Sequence, residues 1–445
     1  MNEYDVIVIG AGPAGLSCAR FSRKLNPRWR ILIIRRQKKS IIPCALPYAL
    51  DGTIKTDDCI KSDEKLLRSA NIDLVIDEVE SISCEDNSLA AKSGKSFGYN
   101  NLVLATGSFP FVPPIPGANL KNVFSIKDHP DILSILEIVE DVRKAVVVGA
   151  GFIGLELVNA FYNRGIEVNL VEMESVCLPQ NLSSDFSENI KKDLEARGVK
   201  LFLGKVLKEI KGEEKVKECI LDDGTKIEAD LVVLSVGVRA DVSLAQKSGI
   251  DVTQKGIKVN EYFQTNIQNI YAVGDCVSGK SFITGKPMNG FLATNAVVEG
   301  KFAAMNIAGK KRPFAGIINP AVTKIFDLSC GAAGFTRDAA EKEGLRFLSS
   351  DTEVYSREKS FPGAVPLKMR LIFDRDTLTL IGAEALSKEN VSWIINMLSL
   401  AILNKNNARE LAFMQYCGHP PQIDVPAKMP IVLCAVDVLK QAKEL

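Results

Sequence analysis

The feature that most constrains this chain is a glycine-rich turn that occurs twice in the same setting, between an apolar strand and a helix-forming run. The run Asp5 to Ile9 leads into Gly10-Ala11-Gly12-Pro13-Ala14-Gly15, then a helical stretch from Leu16 to Leu25 and a second apolar strand from Arg30 to Ile34. The order recurs as Ala145 to Val148, then Gly149-Ala150-Gly151-Phe152-Ile153-Gly154, a helix through Arg164, and a strand from Val168 to Glu172. In such a unit the glycines let the backbone approach a pyrophosphate, while the helix N-terminus supplies N–H donors and the positive end of its dipole. A single Gly-x-Gly-x-x-Gly also closes helices against sheets for purely structural reasons. Two copies, each opening a βαβ unit, imply two dinucleotides on one chain.

Each unit ends in a further strand and glycine turn: Leu102 to Ala105-Thr106-Gly107 in the first, Leu231 to Gly237 in the second. A third such strand, Ile270 to Gly274-Asp275, comes after the second unit has closed and is expected to return to the first sheet. The first domain would then be discontinuous, at 1–112 and 240–318, with the second dinucleotide domain at 113–239 inserted into it. From about Pro320 the pattern changes to strands at Leu367–Phe373 and Leu378–Ala383 and a helix from Asn390 to Asn404, an α+β third domain at 319–445. The expected fold class is α/β, with two Rossmann-like dinucleotide-binding domains plus a C-terminal α+β domain.

The strand ends separate the two nucleotides. Glu172 closes the second strand of the second unit, where a carboxylate accepts hydrogen bonds from a ribose 2'-hydroxyl and repels a 2'-phosphate. That favours NADH, with NADPH as the alternative. The same place in the first unit holds Arg35, in the basic run Arg35-Arg36-Gln37-Lys38-Lys39, and an arginine cannot accept from a hydroxyl. The run reads as a solvated basic turn, as a different way of holding the adenosine end of FAD, or as a lure for a phosphorylated ligand. Asp275 beside Gly274 is placed to reach the ribityl hydroxyls of a flavin. A hydride donor beside a flavin is the simplest reason for two dinucleotide units in one chain, so FAD and NADH are the expected cofactors.

Composition removes other classes of function. Lys plus Arg (55) and Asp plus Glu (54) nearly cancel, so no long-range field draws the chain to nucleic acid or an acidic membrane. No apolar stretch approaches a membrane span, and Met1-Asn2-Glu3-Tyr4 runs directly into the first strand, so a cytoplasmic protein is expected. Ten cysteines without a Cys-x-x-Cys pair or zinc-like grouping imply free thiols in a reducing compartment and no metal. Cys18, Cys84, Cys219, Cys330 and Cys434 sit in apolar or strand-like runs and read as small core side chains. Cys44, in the segment Ser40 to Tyr48, lies just beyond the second strand of the first unit, on the side where strand ends face ligand. A thiol at a helix N-terminus near a flavin would have a lowered pKa and act as a nucleophile; a buried structural thiol is the other reading.

With these segments in view, the sequence resembles the single-cysteine branch of the pyridine nucleotide-disulfide oxidoreductases, which holds coenzyme A-disulfide reductases, persulfide reductases, NADH oxidases and NADH peroxidases. The likeness spans essentially the whole chain and rests on Gly10 to Gly15, Ser40 to Tyr48, Ala105 to Gly107, Gly149 to Glu156, Val236 to Arg239, Tyr271 to Cys276 and Gly290 to Ala293. It implies FAD at the first unit, NAD(P)H at the second and a homodimer through the third domain. Cys44 would be the redox-active cysteine, cycling between thiolate and either a mixed disulfide with coenzyme A or a sulfenic acid. Phe152 and Glu156 match positions on the nicotinamide side of the flavin.

The resemblance also bears on the acceptor. Peroxidase and oxidase members carry a histidine where this chain has Pro13, which demotes peroxide chemistry. The run Cys44 to Tyr48 is most similar to coenzyme A-disulfide reductases; Arg23 and Lys24 match positions that meet the coenzyme's phosphates there, and Ser40 joins them as a candidate substrate contact. Two departures stand against this: Phe361 replaces a tyrosine, and Tyr416-Cys417-Gly418-His419-Pro420 replaces Tyr-x-Pro-Pro. That last segment resembles the His-Pro-x-x-x-Glu stretch of the two-cysteine branch, so His419, oriented by Asp424, is a candidate acid/base, with a surface turn as the other reading. His129 reads as an exposed turn, and Cys417 as a packed interfacial thiol or a resolving partner for Cys44 of the partner subunit. The expected function is an FAD-dependent NAD(P)H oxidoreductase that passes electrons through Cys44 to a low-molecular-weight disulfide, persulfide or polysulfide, coenzyme A-linked in one form. The alternatives are an NADH oxidase using oxygen and a reductase of a small electron-carrier protein.

Overall fold

A computed structural model describes residues 2–445. Strand β1 (Asn2–Ile9) is buried from Val6 to Ile9, and β2 (Ile31–Arg35) along its whole length. Such unbroken apolar runs are what strands covered by helices on both faces require. Between them, α1 (Pro13–Leu25) buries the small stripe Ala14, Gly15, Cys18, Ala19 and Ser22. The helix begins at Pro13 rather than Leu16, because proline's fixed φ and missing N–H suit the first helical position. Then follow α2 (Leu46–Leu50), β3 (Asp73–Ile76) and β4 (Ser96–Leu104). The parallel order is β3-β2-β1-β4, and a hairpin of Val79–Ser83 and Ser88–Ala91 extends the sheet from the N-terminal half of β4.

The second unit holds β5 (Lys144–Val148), α3 (Phe152–Asn163), β6 (Glu167–Glu172), α4 (Ser184–Ala196), β7 (Lys200–Leu203) and β8 (Leu231–Leu234). Its parallel sheet runs Val123–Phe124, β8, β5, β6, β7. The chain leaves the first unit through Ser108–Pro110 and comes back through Val238–Ala240, and these two segments pair antiparallel, Phe109 opposite Arg239. After the return, β9 (Ile270–Ala272) pairs parallel with the C-terminal half of β4. Helix α5 (Ala293–Ile307) then lies against α1 so closely that a Cβ on Gly300 would stand 2.3 Å from the Ala14 carbonyl oxygen.

The remaining chain forms an antiparallel sheet of β10 (Ala321–Ile325), β11 (Leu328–Gly334), β12 (Phe347–Tyr355), β13 (Pro366–Asp374) and β14 (Leu380–Ser387), in the order β10-β11-β14-β13-β12. Helices α6 (Ser392–Leu403) and α7 (Pro430–Gln441) cover it through a core that includes Met369, Phe373, Leu398 and Val438. Among the described residues no helix is long and apolar enough to cross a membrane.

A buried ionic cluster fastens this sheet to the second unit. Arg370 on β13 is 1% exposed. Its guanidinium donates to Asp185 of α4 at 2.6 and 2.9 Å and to Asp351 of β12 at 2.6 Å. Glu384 of β14 lies 3.7 Å from it and accepts from the Ser183 N–H and hydroxyl at 2.6 and 2.7 Å. Arg370→Ala leaves three carboxylates facing each other without their common cation. The expected loss is about 3–5 kcal/mol, read as a lower midpoint in urea unfolding followed by fluorescence.

Candidate dinucleotide and thiol site

The two glycine turns fold alike for a steric reason. Gly10 has φ +107°, and a Cβ there would lie 2.1 Å from the Ala105 carbonyl oxygen; one on Gly15 would lie 2.1 Å from the Gly10 oxygen. Gly149 and Gly154 repeat this against Ser235 and Gly149, at 2.5 and 1.9 Å. The middle glycine differs: a Cβ on Gly12 or Gly151 would meet nothing within 4 Å. Open space therefore lies over the first turn of α1 and of α3, and no side chain caps either helix. Uncapped N–H groups facing open space suit a bound pyrophosphate. The chain's own residues thus fit two dinucleotides, with Pro13, Ala14 and Ala105-Thr106-Gly107 bordering one cradle, and Phe152 and Ile153 at the start of α3 and Gly237 beyond β8 bordering the other.

The ribose ends differ between the two. Glu172 closes β6, is buried, and accepts from the Ala150 N–H at 2.6 Å and the Glu174 N–H at 2.9 Å. Each carboxylate oxygen keeps a second lone pair, so Glu172 is braced against the glycine turn and can still accept. Arg35 requires a correction: it is neither a solvated turn residue nor a side chain free to meet a cofactor. It is 4% exposed and donates to Asp63 at 2.5 Å and to the Lys38 carbonyl at 3.1 Å. Burial of a guanidinium requires a counter-ion, and Asp63, opening the helix that leads into β3, supplies it.

At the end of β9 the turn Gly274-Asp275 faces the first cradle. The Ser108 hydroxyl donates to Asp275 Oδ2 at 2.7 Å, and Lys127 Nζ donates to Ser108 Oγ at 3.1 Å. The Gly274 N–H donates to Glu299 of α5 at 2.7 Å. Glu299 is 4% exposed, and its burial, with the charge of Asp275 adding to it, pushes its carboxyl up to about 8. The Thr106 hydroxyl donates to the Asp241 carbonyl at 2.7 Å, tying the glycine turn to the returning chain. Ala293 opens α5 and is exposed.

Cys44 sits in a single 3₁₀ turn, Pro43–Ala45, directly before α2, and is exposed. Ser40 lies on the short ladder Ser40–Ile41 against Ile60–Lys61, which holds this turn. Protein crowds the sulfur, and burial, then the charge of Glu156, push the thiol above its ordinary value. Its own backbone N–H and Lys61 oppose them. A helix of five residues has little dipole to offer, so the chain's own groups do not make the thiol acidic. Glu156, on α3, accepts from the Thr323 hydroxyl of β10 at 2.9 Å, and burial pushes its carboxyl up to about 7.

Three other candidates are corrected. Arg23 clamps the end of α1, donating to the carbonyls of Ala70, Pro27 and Asn71 at 3.0, 2.7 and 2.6 Å, which uses three of its five N–H donors; Lys24 beside it is exposed. Asp424 does not orient His419: it is buried and accepts from the Tyr355 N–H at 3.1 Å, while His419 is exposed and has only backbone hydrogen bonds, through its carbonyl. His129 opens the helix His129–Leu136 and is partly buried. Cys18, Cys59, Cys177, Cys219, Cys276, Cys330 and Cys434 are buried and Cys84 partly so, which leaves Cys44 and Cys417 as the exposed thiols. Sequence reasoning missed Ser108, Lys127, Glu299 and Thr323. Ser108 had a signal, its place directly after Ala105-Thr106-Gly107; the others come from separate segments whose approach no local pattern announces.

Comparison with known proteins agrees with this geometry. The family model described as pyridine nucleotide-disulphide oxidoreductase matches residues 4–300, and that family's dimerisation-domain model matches 320–429. The chain is 39% identical to an NADH oxidase of Methanocaldococcus jannaschii, covering 98% of each chain. It is 31% identical to a CoA-dependent NAD(P)H sulfur oxidoreductase of Pyrococcus abyssi, covering 97% of this chain and 98% of that one. Among solved structures, an NAD-dependent persulfide reductase from A. fulgidus superposes with TM-score 0.93 at 28% identity, covering 100% of this chain and 84% of its own. Reduced CoADR-RHD of Bacillus anthracis gives 0.94 at 27%, covering 100% and 81%.

Glu299 carries a pH signature. Its folded carboxyl holds a proton to about 8, whereas an unfolded glutamate ionises near 4.5, so stability falls as pH rises through that window. Glu299→Gln keeps an oxygen to accept from Gly274 and has no charge to gain. Thermal unfolding should show a smaller drop in midpoint between pH 5 and pH 8 for the variant than for the parent.

Proposed function

Because this chain belongs to the pyridine nucleotide-disulphide oxidoreductase family, we propose that it is an FAD-dependent NAD(P)H oxidoreductase that delivers electrons through Cys44 to the sulfur of a low-molecular-weight disulfide, persulfide or polysulfide, coenzyme A-linked in one form. The observation that carries this reading is that Cys44 is one of two exposed thiols and sits in the short turn that follows β2 and leads into α2. The two relatives' names, an NADH oxidase and a CoA-dependent sulfur oxidoreductase, support both sulfur and oxygen as acceptors for a chain of this family.

FAD, when bound, takes a hydride equivalent from the nicotinamide and hands two electrons on to sulfur. The chain's residues do the rest. Gly12, Ala14 and the N-terminus of α1 would hold the pyrophosphate of FAD, and Gly151 and the N-terminus of α3 that of the nicotinamide nucleotide, with Phe152 and Ile153 at the helix start. Asp275, fixed by Ser108 and Lys127, would accept from the flavin's hydroxyls. Glu172 would accept from the ribose of NADH and repel a 2'-phosphate. The Cys44 thiolate attacks an acceptor disulfide: its sulfur bonds to one acceptor sulfur, the acceptor's S–S bond breaks, and the other half leaves as a thiolate that takes a proton. Two electrons then cleave the mixed disulfide, releasing the second thiol and restoring Cys44. Ser40, on the ladder that holds the Cys44 turn, would border the approach to the thiol, Lys24 at the end of α1 would be open to a phosphate, and His419 would be a proton donor across the dimer.

A homodimer through the third domain is part of this reading. The match to a dimerisation-domain model supports it, as do the exposed apolar side chains Trp393, Leu400, Leu403 and Phe413 on and beside α6. The balanced net charge and the free thiols support a cytoplasmic setting.

Anaerobic NADH titration of the parent and Cys44→Ser tests the thiol. The parent should form a broad long-wavelength absorbance band after two reducing equivalents, and the variant should lack it. Simple bleaching at one equivalent of NADH in both proteins would turn the reading to a reductase of electron-carrier proteins or of oxygen. Replacing Glu172 with Ala and Met173 with Arg should shift preference toward NADPH by about tenfold or more in kcat/KM, since it exchanges a repelling charge for an attracting one.

A further inference from the structure

Cys44 lies between β2 and β3 in the chain, yet its segment packs on the second unit. The turn Pro43–Ala45 runs straight into α2, with the Ala45 N–H donating to the Ile42 carbonyl at 3.0 Å and the Asp51 N–H to the Pro47 carbonyl at 3.1 Å. Cys44 therefore stands in the first turn of one short helical run that ends at Leu50. Leu46, Ala49 and Leu50, each 4% exposed or less, share one core with Leu157, Val158 and Phe161 of α3 and with Ile132 and Ile135 of the helix His129–Leu136. Cys59 joins that core, and Ala45, next to the thiol, packs against it. None of the described residues of β1, β2, β3 or β4 belongs to it.

A helix this short ends on carbonyls with no partner inside it. The end of α3 supplies one. Arg164, directly after the last residue of α3, donates through Nε to the Leu50 carbonyl, and Asn163 Nδ2 donates to Asp51 Oδ2 at 3.2 Å. Glu140 accepts from Arg164 Nη1 at 2.9 Å and fixes the guanidinium, whose side chain is 23% exposed. A cation there also suits the negative end of the α2 dipole. Helix α3 thus opens at Gly151, in the second glycine cradle, and closes on the far end of the Cys44 run; its 12 residues span about 18 Å.

We propose that Arg164 is a positioning residue for Cys44: by tying the Leu50 carbonyl to α3 it fixes the thiol's helical run on the nucleotide-binding second unit, so that this unit sets where the sulfur stands. Without the clamp, α2 keeps its apolar contacts and loses the donor at its C-terminus. A helix of five residues has too few hydrogen bonds of its own to hold its ends, so the run frays back toward the Cys44 turn and the thiol is reached more often. The Asn163–Asp51 hydrogen bond is the weaker arm, because both groups face solvent.

The inference rests on Cys44 being the reacting thiol, but its test needs no turnover. The FAD-loaded protein, reduced with dithiothreitol and desalted anaerobically, is pulsed with iodoacetamide at about pH 8, and the peptides carrying Cys44, Cys417 and the buried Cys177 are quantified by mass spectrometry. Arg164→Met should raise the labelling rate of Cys44 by about threefold or more, the order expected from losing one net hydrogen bond, while Cys417 labels at the parent's rate and Cys177 stays protected. Arg164→Lys, which keeps a donor and the charge, should bring Cys44 back toward the parent, and Asn163→Ala should raise it by less than Arg164→Met. An unchanged Cys44 rate in Arg164→Met overturns the clamp, as does a rise matched by Cys177, which marks a second unit opened as a whole. Should Arg164→Met fail to fold, no rise in Asn163→Ala has the same meaning. Disulfide turnover that survives Cys44→Ser would instead remove the functional reading beneath it.

Discussion

The rest of the structure hangs on a backbone-to-backbone contact with no room for a methyl group. Gly10 lies under the Ala105 carbonyl and Gly15 under the Gly10 carbonyl, and Gly149 and Gly154 repeat the arrangement. These contacts bring the start of each helix hard against the end of its strand. The helix N-terminus is thereby aimed across the open edge of the sheet, where no side chain caps it. In each parallel sheet every strand delivers its C-terminal residues to the same side, which is where Asp275 follows β9 in the first unit and Glu172 closes β6 in the second.

Around those edges the chain keeps several acids in places that oppose ionisation. Glu156 and Glu299 are pushed up to about 7 and about 8, in each case by burial first. Glu384 is raised too, beneath the Arg370 cluster. Each stands where segments distant in sequence meet: α3 against β10, α5 under the Gly274 turn, β14 against α4. A buried carboxyl at such a seam joins neighbouring segments by hydrogen bonds, and its proton then responds to how closely they are held.

The fold was legible because its elements announce themselves locally. Strands buried on both faces read as unbroken apolar runs, and a proline and glycines in fixed order mark the helix start. The site was legible where one residue type in one local setting carries the chemistry, as with Glu172 at a strand end. Reasoning from local pattern went wrong where partners come from afar. Arg35 read as a solvated or cofactor-facing cation, and Asp63, far along the chain, turned it into a buried ion pair. Asp424 stood within reach of His419 in sequence, yet the Tyr355 N–H of a separate strand took it. Arg23 looked free until the carbonyls of Ala70 and Asn71 closed on it.

The sequence by itself determined the two dinucleotide units, the family and the segment that bears Cys44, since each is a matter of residue order over a short stretch. Only the tertiary structure decided which charges are spent inside the protein and which stay available, as the buried Arg35–Asp63 pair shows. The physical reason is that ionisation and hydrogen bonding depend on burial and on neighbours within a few ångströms. Those neighbours are Glu156, Ser108, Asp63 and Thr323, brought together by the packing of three domains rather than by their order in the chain.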